Sequence, residues 1–150
     1  MRFFISIADG LNYLRDLPPL FFRLILAYGF WGPFLMKFHH TDAFITFCRT
    51  LHYPFPVVCG YLALITEAAG IFSLVVGFAT RLMSIPLILL LSVAILTVHL
   101  PNGFSAANNG FEIPLYYALM LFSLLATGPG RVSVDYLITR SYRARARSAL

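Results

Sequence analysis

A chain of 150 residues that is 59% hydrophobic and 11% charged, with a mean hydropathy of +0.80, cannot cover itself with polar surface. Soluble domains carry roughly 25% charged residues, so the apolar excess must face lipid, and the length suits one compact membrane domain spanning 1–150. The net charge of +5 does not point to nucleic acid, because the arginines cluster at the chain ends and between hydrophobic runs, as membrane topology requires.

In chain order, Phe4, Ile7, Ala8, Leu11 and Leu14 recur at helical spacing with Asp9 and Asn12 on another face, which predicts a short helix on the membrane surface. With Arg2, Asp9, Arg15 and Asp16 interrupting it, this stretch lacks the clean apolar core of a cleavable signal peptide. Pro18-Pro19 opens a first span over about 18–37, and Pro33, which has no N–H for the Gly29 carbonyl, predicts a kink. Residues 38–56 are too short and too polar to cross. Thr41-Asp42 reads as an N-cap for an interfacial helix whose stripe is Phe44, Ile45, Cys48 and Leu51, ended by Pro54 and Pro56. Further spans are predicted over about 57–79, 82–100 and 112–128, the second and third forming a tight hairpin around Thr80-Arg81. Asn102-Gly103 and Asn108-Asn109-Gly110 bracket a loop, Gly128-Pro129-Gly130 stops the last span, and 133–150 forms a basic surface helix. The fold class is therefore all-α, a four-helix transmembrane bundle with short interfacial helices.

With the N-terminus inside, the cytoplasmic segments hold eight basic residues (Arg2, Arg15, Arg81, Arg131, Arg140, Arg143, Arg145, Arg147) and the outer ones two, Lys37 and Arg49. Positive charge stays inside, so both termini are expected in the cytoplasm, with the basic tail against anionic headgroups. Docking of a partner on that tail is the alternative.

The polar residues within the spans are the functional candidates. Glu67 lies about ten residues into its span, hence about 15 Å deep, where a carboxylate must face the bundle interior. Gly60, Ala63, Glu67, Gly70, Ser73 and Gly77 share one face of small residues, which turns Glu67 toward a helix–helix interface. Ser92 and Ser123 fall near its depth, with Tyr28 and Arg23 reaching from the cytoplasmic side. Glu67 is then either a ligand or proton group, with a cation such as Arg23 as partner, or packing glue bonded to hydroxyls. A second layer at the outer boundary holds Lys37, His99 and Glu112, with His39, His40 and His52 in the outer loop. His99, Glu112 and the three loop histidines could bind a borderline metal, although interfacial His and Lys also serve as anchors. Cys48 and Cys59, both on the outer side, allow a disulfide or serve as small apolar residues.

Several strings together resemble the DoxX family of bacterial membrane proteins: His99–Phe104 (HLPNGF), Asn109–Glu112 (NGFE) and Gly128–Asp135 (GPGRVSVD). Arg23-Leu24, Gly32 to Lys37, Glu67–Gly70 (EAAG), Gly77 and Arg81 fit the same pattern in order. The resemblance runs from about residue 20 to 137, each piece weak alone. It implies a four-helix protein of the bacterial inner membrane tied to redox, sulfur or oxidative-stress pathways, often as partner of another enzyme. Ile85-Pro86-Leu87 and Val98–Phe104 resemble the HvfX-like branch, which implies maturation of copper-binding modified peptides. Family positions carried across are Arg23, Lys37, Glu67, Arg81, His99, Gly103, Glu112 and Asp135.

Two functions follow: a membrane component of a redox system that contacts a quinone, or a non-enzymatic accessory for copper or a copper-binding peptide at the outer face. A scaffold that recruits a soluble enzyme through the basic tail is a third. Tyr28, Tyr116 and Tyr117 would suit a quinone ring. The expected partners are the lipid bilayer and a redox enzyme or modified peptide, without nucleic acid and with self-association left open. No haem, flavin, dinucleotide-loop or nucleophile-triad motif is legible.

Overall fold

The computed structural model describes residues 16–148, and the surface helix expected over 3–14 lies outside the described residues. The described residues form six α-helices: α1 Leu17–His39, α2 Thr41–Thr50, α3 Pro56–Val76, α4 Thr80–Ala94, α5 Glu112–Thr127 and α6 Val134–Ser148. A π-helical turn, Ile95–His99, and a 3-10 turn, Leu100–Asn102, prolong α4, and a second 3-10 turn, Ala106–Asn108, lies in the loop before α5. Among the described residues, three stretches are long and apolar enough to cross a membrane: Leu17–His39, Pro56–Val76 and Thr80–Asn102. The α5 helix is apolar but has 16 residues, about 24 Å of rise against a hydrocarbon core of about 30 Å.

The helices stop where their backbone chemistry demands it. Gly77 ends α3 in the left-handed region at φ 72°, its N–H donating to the Ser73 carbonyl at 2.8 Å, a conformation that glycine adopts without strain. Gly128, at φ 89°, and Pro129 end α5. Pro33 sits within α1, which runs helical through it. The expected Thr41-Asp42 cap does not form. The Thr41 hydroxyl instead donates to the carbonyls of Lys37 (3.0 Å) and Phe38 (3.1 Å). It therefore closes the end of α1, whose last carbonyls lack helical donors, and His40 takes the N-cap position of α2 without a side-chain bond.

The α1 helix packs along α3, and α4 along α5, with further contact between α1 and α5 and between α3 and α4. Leu26, Ala27 and Phe30 of α1 meet Leu74, Leu87, Leu91, Leu121 and Leu124 in the core. The face of small residues on α3 is turned inward as expected. A Cβ on Gly70 would lie 2.8 Å from Leu87, and one on Gly60 2.9 Å from Ile45 of α2. The outward faces carry Phe21, Leu62, Phe72, Leu89, Leu119 and Phe122, all exposed; such apolar exteriors belong in lipid, where close packing and interhelical hydrogen bonds hold helices together.

Hydrogen bonds tie the two ends of the bundle differently. At one end Arg23 is 2% exposed. It donates to the carbonyls of Leu74 (2.8 Å), Val75 (2.9 Å), Pro129 (3.1 Å) and Val132 (2.6 Å). It thus caps the C-terminus of α3 and holds the segment leading to α6. Asp135 caps α4 from 55 residues away, accepting the N–H groups of Ala79 (2.8 Å) and Thr80 (3.1 Å). Arg81 donates to the Ala126 carbonyl near the end of α5 at 3.2 Å, and Arg131 pairs with Asp16 at 3.3 Å. The other end gathers the C-terminus of α1, the α2 helix, the start of α3 and the loop between His99 and Glu112.

Candidate functional site

Gly29, Pro33 and Lys37 recur every fourth residue on α1 and line one cavity of about 400 Å³. Glu67 of α3, Leu90, Leu91 and Ala94 of α4, His99, the loop residues Ala106, Asn109 and Gly110, and Ile113, Pro114 and Tyr117 of α5 complete the wall with Phe30. A Cβ on Gly29 would sit 2.2 Å from the Tyr117 oxygen, so the bare glycine is what admits that phenol. The Tyr117 ring lies 5.9 Å from that of Phe30, tilted by 49°.

The polar centre of the cavity is an ion pair. Lys37 Nζ donates to Glu67 Oε1, and the two side chains are 14% and 2% exposed. The ammonium also lies 5.3 Å from the centroid of the Phe44 ring, close enough for the ring face to attract it. Glu67 Oε2 is buried without a hydrogen-bond partner. A charge pair away from water holds only while both members are present, so each fixes the state of the other.

His99 stands on the π turn, where the extra residue shifts the side chains that follow it around the helix axis. Its Nδ1 is 2.9 Å from the Asn109 carbonyl. A carbonyl only accepts, so Nδ1 carries the hydrogen and the lone pair of the neutral ring is on Nε2. The loop is further pinned by Phe111 N–H to Gly103 O (3.1 Å), Glu112 N–H to Phe104 O (3.0 Å) and Asn102 Nδ2 to Asn109 O (3.3 Å).

The predicted residues divide accordingly. Lys37, Glu67, His99 and Tyr117 meet in the cavity; the other candidates do not. Arg23 is not the partner of Glu67, since its guanidinium is spent on carbonyls at the opposite end of the bundle. Tyr28 is 84% exposed and borders a shallow outer groove with Trp31 and Ile71, because it lies one residue off the Gly29–Pro33–Lys37 face. Ser92 bonds back to the Ile88 carbonyl of its own helix at 2.8 Å, and Ser123 lies outside the cavity wall. Tyr116 is 48% exposed and donates to Glu112 at 3.3 Å. Glu112 does not share the cavity with His99; it accepts the Ala106 N–H at 2.9 Å and so braces the loop.

The metal-binding layer expected from His99, Glu112, His39, His40 and His52 does not assemble. Among the described residues no three His, Cys, Asp or Glu side chains come close enough to hold an ion. Cys48 and Cys59 are free thiols. Burial, with Cys59 adding to it, pushes the Cys48 thiol above its ordinary range, as suits an apolar packing residue rather than a nucleophile. Sequence reasoning missed Gly29, Pro33 and Ala94 as cavity residues; the i, i+4, i+8 spacing of Gly29, Pro33 and Lys37 was the available signal.

An all-helical chain with several apolar spans, exposed apolar flanks and a charged pair sealed among its helices is a multi-pass membrane protein. Its residues 19–100 match the DoxX family model, and it is 30% identical over 127 residues to an uncharacterized protein of Haemophilus influenzae, covering 82% of this chain and 84% of that one. The chain belongs to the DoxX family. No solved structure matches it.

Proposed function

We propose that this protein is a four-pass component of a redox system in a bacterial inner membrane, holding a quinone-class ring between Lys37, His99 and the aromatic wall of the cavity. The single observation that carries this is the combination of volume and lining. About 400 Å³ is of the size that binds small molecules, apolar walls with few convergent polar groups being the usual pattern. Phe30, Leu90, Ile113 and Tyr117 offer surfaces to a flat ring, and the Lys37 ammonium has hydrogens beyond the one given to Glu67 for a ring oxygen. The ring, when bound, would cycle between carbonyl and hydroxyl forms by taking two electrons and two protons. A partner enzyme supplies the electrons in this proposal, while Lys37, Glu67 and His99 are the groups able to hold or pass protons beside the ring.

The test is equilibrium binding of a short-chain ubiquinone to the purified protein in lipid nanodiscs. Ala94→Phe, which fills the cavity from α4, is expected to weaken binding by about tenfold or more, one lost ring contact area being worth about 1.4 kcal/mol or above. Equal affinity in wild type and variant would refute the site.

The proposed orientation puts Asp16, Arg81 and Arg131 in the cytoplasm and the cavity end outside, supported by the basic bias of the sequence and by hydrogen bonds joining 16, 77–81 and 128–135 at one end. Reporter fusions after residues 40, 80, 106 and 150 should read out, in, out, in. An external C-terminus would overturn the orientation, and equal readings at 106 and 150 would remove the fourth crossing by α5.

A further inference from the structure

We propose that the cavity discriminates between the two oxidation states of its ring, holding the hydroxyl (quinol) form more tightly than the carbonyl (quinone) form, and that His99 is the residue that decides. This rests on the quinone-class assignment above and goes beyond it by naming the preferred form.

The polar groups facing the ring are not equivalent. The Lys37 ammonium is a donor with hydrogens to spare, and a donor can serve either a carbonyl or a hydroxyl oxygen. It therefore fixes orientation without selecting a form. His99 differs because the loop sets its tautomer. The Asn109 carbonyl, 2.9 Å from Nδ1, claims the ring hydrogen, and the same carbonyl is held by Asn102 at 3.3 Å, so it is fixed in place rather than free to turn away. With Nδ1 engaged by the loop, the nitrogen left to the cavity is Nε2, an acceptor. A hydroxyl can donate to it, whereas a carbonyl oxygen meets lone pair against lone pair and leaves both groups unpaired. Sites built around a required hydrogen bond reject the analogue that cannot make it far more strongly than apolar walls reject a difference in shape.

The direction of the effect has a redox consequence. Tighter binding of the reduced form makes the bound ring easier to reduce than the free one. A tenfold preference corresponds to about 30 mV for a two-electron couple.

His99 also anchors the loop, so the decisive variant must separate the two roles. Asparagine is short enough to reproduce the Nδ1 donor to the Asn109 carbonyl while offering nothing where Nε2 stood. In nanodiscs under anaerobic conditions, dissociation constants for a short-chain ubiquinol and for the matching ubiquinone are measured with wild type and His99→Asn. The expected result is a quinol preference of about tenfold in wild type, abolished in His99→Asn, where loss of the Nε2 acceptor lowers quinol affinity and relief of the lone-pair contact raises quinone affinity. His99→Gln, which carries an acceptor near the Nε2 position, should recover part of the preference. Equal affinities for the two forms in wild type, or a preference that survives in His99→Asn, would overturn the inference while leaving the cavity as a quinone site. If neither form binds wild type, the assignment of the cavity falls and this inference with it.

Discussion

Replacing Arg23 with leucine is expected to prevent stable assembly, lowering the yield of monodisperse protein several-fold and destabilising the remainder by about 3 kcal/mol or more. Arg23 is buried and reaches four carbonyls, two at the end of α3 and two in the segment between α5 and α6. Without it, those acceptors lose their partners, and the C-terminal dipole of α3 loses the cation that offsets it. Leucine supplies volume but no donor. Arg23→Lys keeps the charge as a point source without the planar fork, so an intermediate loss is expected, legible as a lowered midpoint in thermal unfolding followed by size-exclusion chromatography. The cavity lies at the far end of the bundle, so whatever Arg23→Lys protein folds should bind ubiquinone as wild type does. A wild-type midpoint for Arg23→Leu would show that the capping network contributes nothing to assembly.

Arg23 also marks where reading residues one helix at a time runs out. A guanidinium inside an apolar run invites pairing with the nearest buried carboxylate, and counting residues along each span puts Glu67 within imagined reach. The count takes the helices as starting at one level. Gly60 packs against Ile45, so the first turns of α3 lie beside α2, beyond the end of α1, and Glu67 falls level with Lys37 instead. Lysine then closes the remaining gap with its own length, carrying its charge away from its Cα. The height of α3 is set by α2, which follows α1 after a single residue, and no periodicity encodes that placement. What the sequence pattern does encode survived: the inward face of α3, the stripe of α2 with Ile45 and Cys48 buried, and the stop at Gly128; Gly77, read as part of the span, instead ends α3. Hydroxyls near the right depth were misleading for a local reason. Ser92 satisfies itself on the preceding turn of its helix, as serine in an apolar environment commonly does. Glu112 and His99 were grouped by their shared boundary, yet each is spent on a different part of one loop, and only His99 borders the cavity.

The Lys37–Glu67 pair gives the sharpest separation of function from architecture. Its two charges are nearly sealed from solvent, and a buried pair behaves asymmetrically. Removing one partner leaves an uncompensated charge, which typically costs about 3–5 kcal/mol, whereas replacing both with apolar groups of similar size is often neutral. Glu67→Leu and Lys37→Met alone are therefore each expected to lower the unfolding midpoint sharply in nanodiscs, Glu67→Leu the more so if the stranded ammonium keeps its charge. The double variant should recover most of the loss, giving a coupling of several kcal/mol in the mutant cycle. If the pair exists to hold a ligand, that recovered protein will fold normally and fail to bind ubiquinone. Glu67→Gln probes the middle ground, since it retains an acceptor for Lys37 but no negative charge, and it should fold better than Glu67→Leu while leaving the ammonium unneutralised. Additive losses in the cycle would mean the two side chains are not coupled as their contact implies. A double variant that folds and still binds the ring as wild type would assign the pair to packing, and leave His99 and the aromatic wall to carry recognition alone.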